Sequence, residues 1–173
     1  MRIETDVQQV AKLAEERAEA NWTLRYAYAL KGSDLSPEEI DSVVHGHYED
    51  VASQIDCQKC GNCCKTVRII LGKSDISRLA NHLKKPVKDF VQEYLAIDEE
   101  TKEHCFRAMP CPFLRGKSCA VYDLRPAGCR SYPHLHTEGF VFKLYQALSN
   151  CSVCPIVFNV MERLRREKWT TTR

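Results

Sequence analysis

Four cysteines fall within eight positions of the segment CQKCGNCC: Cys57, Cys60, Cys63 and Cys64. Two residues between cysteines let both sulfurs turn toward one ion while the intervening amides approach the thiolates, and Gly61 supplies a tight turn inside the run. More thiols follow at Cys111, Cys119 and Cys129, and a second C-x2-C pair at Cys151 and Cys154. Soft sulfur donors in this number and spacing point to metal, with these nine cysteines as candidate ligands. Two chemistries fit. Zinc favours four thiolates in a tetrahedron, often from two C-x2-C pairs, and Cys57/Cys60 with Cys151/Cys154 satisfy that pattern. An iron–sulfur cluster favours three close cysteines and one remote. C-x2-C-x2-C opens a ferredoxin run that ends in Cys-Pro, and this chain has remote Cys-Pro dipeptides at Cys111-Pro112 and Cys154-Pro155. Adjacent Cys63 and Cys64 do not readily face one small ion, so one of them belongs to a second site or supports the first.

Disulfides and nucleophilic thiols are the rival uses. Ten cysteines, an even count, are compatible with a crosslinked secreted scaffold. The opening MRIETDVQQVAKLAEERAEANW, however, scatters charge and lacks the apolar stretch of a secretory signal. A cytoplasmic, reducing location is therefore expected, where dense cysteine patterns serve metal or redox chemistry more often than crosslinking. A cysteine nucleophile paired with His134 is a weaker account of thiols arranged in C-x2-C units. His134 and His136 alternate around Leu135; on a strand they share one face, either completing a mixed site, moving a proton, or simply lying half-exposed. The chain has no glycine-rich phosphate loop, no G-x-S-x-G elbow and no H-E-x-x-H.

The remaining composition narrows the partners. Hydrophobic residues make up 44% and charged residues 28%, the balance of a globular protein. A formal net charge of +2 gives no strong pull on nucleic acid. The basic ending MERLRREKWTTTR reads as a solvated helix face. No apolar run approaches the roughly 20 residues that cross a bilayer, so no membrane role is expected.

The segments CQKCGNCC, CPFLRGKSCAVYDLRPAGCRSYP and CSVCP resemble the YkgJ-like CxxCxxCC cysteine-cluster family, described as zinc- or iron-chelating. The resemblance runs from about Cys57 to about Pro155. It rests on Cys57, Cys60, Cys63 and Cys64; on Cys111 to Leu114; on Cys119, Val121 and Tyr122; and on Arg125, Pro126, Cys129, Arg130 and Pro133. It implies a zinc- or iron-chelating module. A related cysteine-rich domain occurs in flagellin lysine methylases, which implies that such a module can serve radical or redox-dependent chemistry. This chain lacks the extra length of that larger enzyme, so methylation is not carried over. Cys105 lies outside these motifs. Arg125 and Arg130 are cofactor-side candidates: beside a tetrathiolate zinc site, which is formally negative, either guanidinium would offset charge. Their plainer use is a solvated turn.

These residues need a scaffold, and the pattern predicts a mostly helical α+β fold with short hairpins. Residues 1–55 read as an N-terminal helical arm without cysteine, suited to packing on the rest or on a partner protein, and 56–173 as the metal-binding domain. Ile3, Val7, Val10 and Ala14 recur at helical spacing, and Gly32 is expected to end that helix. Ser36, Pro37 and Glu39 announce the next through a capping box, with Ile40, Val43, Val44 and Val51 on its inner face. TVRIIL reads as a strand and Ser74 as a helix cap. PVKDFVQEYL reads as a helix starting at Pro86. CPFLRGKSCAVY reads as a hairpin turning at Gly116, and HLHTEGFVF as another turning at Gly139. A last helix begins at Pro155 and buries Ile156, Val157, Val160 and Leu164.

Overall fold

The computed structural model describes residues 2–21, 23 and 35–167. In chain order its helices are α1 (Val7–Glu16), α2 (Pro37–Ala52), α3 (Cys57–Cys60), α4 (Cys63–Thr66), α5 (Lys73–His82), α6 (Val87–Tyr94), α7 (Ala127–Ser131), α8 (Phe140–Asn150) and α9 (Pro155–Leu164). Strands β1 (Leu95–Ile97) and β2 (His104–Phe106) form one antiparallel pair, β3 (Leu114–Arg115) and β4 (Ser118–Cys119) another, and Tyr122–Leu124 form a 3-10 turn. The fold is mostly helical α+β, as the pattern predicts. The chain forms two compact units, one of Met1–Asp56 with Pro133–Arg173, the other of Cys57–Tyr132. The first break lies where the cysteine-rich texture begins, and residues 133–173 group with the N-terminal helices.

The helical unit is built on apolar faces and a few buried polar ties. Asp6 caps α1 by accepting from the backbone of Gln8 and Gln9, and Val10 and Ala14 are buried along it. The capping box of α2 forms as expected: Ser36 Oγ accepts from Glu39 N (3.2 Å) and Glu39 accepts from Ser36 N (2.8 Å). Ile40, Val44 and Val51 are buried, whereas Val43 is half-buried. The stop expected at Gly32, and Lys168–Arg173 of the basic ending, lie outside the described residues. Helix α9 buries Ile156, Val157, Val160 and Leu164 as expected and adds Phe158 and Met161. Its Asn159, 1% exposed, donates to the carbonyls of Glu4 (2.7 Å) and Pro155 (2.7 Å) and accepts from Glu4 N (2.9 Å). That amide ties the segment ahead of α1 to α9 and leaves no buried donor without a partner.

One expected hairpin is a helix instead. Gly139 does not turn a hairpin; with φ +78° it is the N-cap of α8. Asp41 of α2, nearly fully buried, accepts from the backbone N–H of Gly139 (2.6 Å) and Phe140 (2.8 Å). A carboxylate there satisfies otherwise orphaned donors and favours the positive end of the helix dipole. Phe140, Leu144 and Ala147 then bury one helical face, a period that the aromatic GFVF run disguises. His134 and His136 consequently do not share a strand face: His134 has φ +64°, and the His136 ring packs on Tyr48 at 5.4 Å.

The cysteine-rich unit has its own core of Leu71, Ile76, Leu79, Phe90, Phe106 and Phe113, among others. Tyr94 stacks on both Phe90 (5.1 Å) and Phe113 (5.7 Å), and Phe106 meets Phe113 edge-on. TVRIIL does not form a strand. Thr66 closes α4, and only Ile70 bridges Cys105, whose β2 backbone is already paired with β1 through Ala96. Ser74 does not cap α5; Gly72 holds that position and Ser74 lies inside the first turn. Helix α6 follows Pro86 as expected but ends at Tyr94, because Leu95 turns extended and opens β1. The β3–β4 hairpin turns at Gly116, φ +62°, as expected.

Candidate metal centre

The thiol-bearing segments converge in the cysteine-rich unit through specific backbone ties. Helix α3 is followed by Gly61, whose φ of +61° is left-handed and whose N–H donates to Cys57 O (3.1 Å). A Cβ at Gly61 would lie 2.4 Å from the carbonyl oxygen of Lys117 in the hairpin turn, so only glycine permits this approach. Ser118 Oγ donates to Gln58 O (3.1 Å) and fixes the same contact from the hairpin side. Cys111 N donates to Cys64 O (2.7 Å), joining α4 to the Cys-Pro segment. Gly128 of α7 faces Ile69 closely: a Cβ there would lie 2.8 Å from the Ile69 side chain, so the space holds none without a shift.

These ties leave a cavity of about 80 Å³ whose walls carry six thiols: Cys57, Cys63, Cys64, Cys111, Cys119 and Cys129. Ligand pockets for drug-sized molecules run to about 300–1,000 Å³, so this space suits an ion or a small inorganic group. Its remaining walls are largely apolar, from Val67, Phe106, Phe113 and Val121, with Tyr122, Arg125 and Tyr132 adding polar edges. Arg125 lies over the Tyr122 ring, 3.6 Å from its centroid, and its Nε donates to Tyr122 O (3.0 Å). Arg130 is exposed and donates from Nη1 to Arg125 O.

The thiols on these walls act on one another electrostatically. Burial pushes Cys129 up to about 12, and repulsion from Cys111, Cys64 and Cys119 adds to it. Burial likewise pushes Cys111 up to about 11, with Cys64 and Cys119 contributing. Cys119 is raised by burial and by Cys64. Cys64 moves the other way, to about 7, because the Cys63 thiol hydrogen-bonds to it and Arg125 is near. Several thiols crowded into a poorly solvated space resist ionisation together. A bound cation would favour the thiolate form that this space otherwise disfavours, so the donor set fits a thiophilic metal. The thiols line walls here: among the described residues no three Cys, His, Asp or Glu side chains converge as a closed ligand shell does.

The other sequence candidates lie elsewhere. Cys60 ends α3 outside the cavity wall. Cys151 and Cys154 belong to the helical unit, both buried, with burial pushing Cys151 up to about 12. Cys105 is fully buried in β2. No disulfide joins any cysteine among the described residues. Asp75 and Arg78, which hold the loop carrying Arg125, were invisible to motif reasoning. Their i, i+3 spacing on a helix was the available signal, but it marks many surface pairs.

Among the described residues no helix is long and apolar enough to cross a membrane. No solved structure matches the chain. The CxxCxxCC family model, described as a "putative zinc- or iron-chelating domain", matches residues 56–155. That span takes in every cysteine of the chain and more than half its length, and the protein belongs to the CxxCxxCC family.

Proposed function

We propose that the protein is a cytoplasmic metal-binding protein whose cavity in the cysteine-rich unit holds an iron–sulfur cluster or zinc through thiolates, serving redox chemistry or protein modification. The observation that carries this reading is the gathering of six cysteines, from residues 57–64 and from residues 111–129 about 50 positions later, around one ion-sized space. Cys64, Cys111, Cys119 and Cys129 are the leading ligands: all four line the cavity, Cys111, Cys64 and Cys119 each raise Cys129, and Cys64 and Cys119 raise Cys111. Cys57 and Cys63 lie on the same walls and complete or support the set. Cys60, Cys151 and Cys154 remain ligand candidates on their C-x2-C spacing alone. Iron would supply one-electron chemistry and zinc a closed structural or Lewis-acidic centre. The chain's own part is to hold thiols together, keep water sparse with Phe106, Phe113 and Val121, and set Arg125 near Cys64 as positive charge.

A non-enzymatic zinc module that presents a binding surface is the second reading. It is favoured by the cavity's small size, which leaves no room beside the ion for an organic substrate. Anaerobic purification with metal and sulfide analysis separates the two. A brown protein with iron and acid-labile sulfide supports the redox reading; a colourless one with stoichiometric zinc supports the module. A folded, reduced protein that binds neither metal overturns both.

A further inference from the structure

Helix α5 carries no cysteine, yet two of its side chains reach the loop that leads into Cys129. Asp75 is 3% exposed and its Oδ2 accepts from Ala127 N (3.1 Å), the first residue of α7. Its other oxygen accepts from Arg78 Nη2. Arg78 then donates from Nε to Leu124 O (3.3 Å) and from Nη2 to Arg125 O (3.0 Å). Arg130 donates to that same Arg125 carbonyl. The four residues Leu124 to Ala127 are thus gripped at three backbone points by one ion pair, its carboxylate buried and its guanidinium half-buried. A short α7 of five residues has little intrinsic stability, so its start must be set from outside. Arg125 within that grip and Cys129 two residues beyond it both lie on the cavity wall.

We propose that Asp75 and Arg78 are positioning residues of the thiol cavity, fixing the Leu124–Ala127 loop so that Cys129 and Arg125 face the other sulfurs. The inference rests on the metal reading above. The planar guanidinium matters because one fork spans two carbonyls and a carboxylate, which a lysine ammonium on a flexible stem does not reproduce. Residues that orient a metal's ligands characteristically change affinity by about 10- to 100-fold when replaced.

The test uses the full chain with Asp75→Asn, Arg78→Lys and the conservative Asp75→Glu, and two readouts. In the first, cobalt(II) is titrated into reduced apoprotein. Asp75→Asn and Arg78→Lys are expected to weaken cobalt binding about 10- to 100-fold and to alter the visible ligand-field bands, with Asp75→Glu recovering part of both. The second readout needs no metal. Iodoacetamide labelling of apoprotein, mapped by peptide mass spectrometry, is expected to speed up several-fold at Cys129 while Cys105 stays slow. Wild-type protein that takes up no cobalt or zinc sinks the metal reading, and Cys129 labelling still decides the positioning role. Unchanged cobalt spectra with unchanged Cys129 labelling overturn the proposal. So does equal acceleration at Cys105, which would mark general loosening; Arg78→Lys, which keeps the charge, guards against that outcome arising from misfolding of Asp75→Asn alone.

Discussion

At the scale of single residues, a cysteine's environment separates ligand from packing group better than its place in a motif. Cys129 and Cys105 are both shielded from water, but Cys129 faces other thiols across a cavity whereas Cys105 sits in a strand among apolar groups. Cys129→Ser is therefore expected to lose most bound metal. Cys105→Ser keeps the metal-to-protein ratio and loses about 1–3 kcal/mol of stability, because a hydroxyl replaces a thiol without solvent. Elemental analysis and urea unfolding of the two variants check this. Cys60→Ser addresses the first C-x2-C: its spacing predicts metal loss like that of Cys129→Ser, although its side chain is off the cavity wall. Equal, small losses at Cys60, Cys129 and Cys105 would overturn this ranking of ligands.

At the scale of elements, the glycines that shape the site differ in what they face. Gly61 and Gly116 both adopt left-handed backbone, but a Cβ at Gly116 meets open space whereas at Gly61 it strikes the Lys117 carbonyl. Gly116→Ala should cost about 1–2 kcal/mol, the ordinary left-handed penalty. Gly61→Ala adds a backbone clash and should cost about 3 kcal/mol or more, with metal content falling as α3 parts from the hairpin. Denaturant midpoints and metal analysis of both variants test the contrast. These elements also show what was legible in the sequence. The Ser36–Glu39 capping box, the Pro155 helix start and the Gly116 turn are local chemistry, decided within four residues, and were readable. The α8 N-terminus was not, since its carboxylate comes from Asp41, on a helix far earlier in the chain. TVRIIL departs from its β propensity because pairing stops at one residue: Ile70 alone bridges β2. Cysteine spacing identified the thiols without stating which of them share a cavity, because that depends on ties such as Cys111 N to Cys64 O.

At the scale of the molecule, the two units draw stability from different sources. The helical unit contains helices of ten to sixteen residues with continuous buried faces and polar ties at Asp41 and Asn159. The cysteine-rich unit supports its cavity on helices of four and five residues and strands of two and three. Helices so short and isolated strand pairs are marginal by themselves in water. Structural zinc in small peptides contributes about 10–16 kcal/mol of apparent binding free energy, so a metal on these thiols would dominate the local balance. Removing it with a chelator under reducing conditions should therefore raise amide hydrogen exchange across α3, α4, the β3–β4 hairpin and α7, while α2 and α9 keep their protection. Asp41→Ala should do the opposite, exposing α8 at a cost of about 1–3 kcal/mol by stripping one buried and one half-buried donor of their acceptor, with metal content unchanged. Hydrogen exchange on the two samples distinguishes the cases. Loss of protection in α2 and α9 on chelation would place the metal's stabilising reach beyond the unit that holds the six thiols, and would show that the helical unit does not stand on its apolar faces alone.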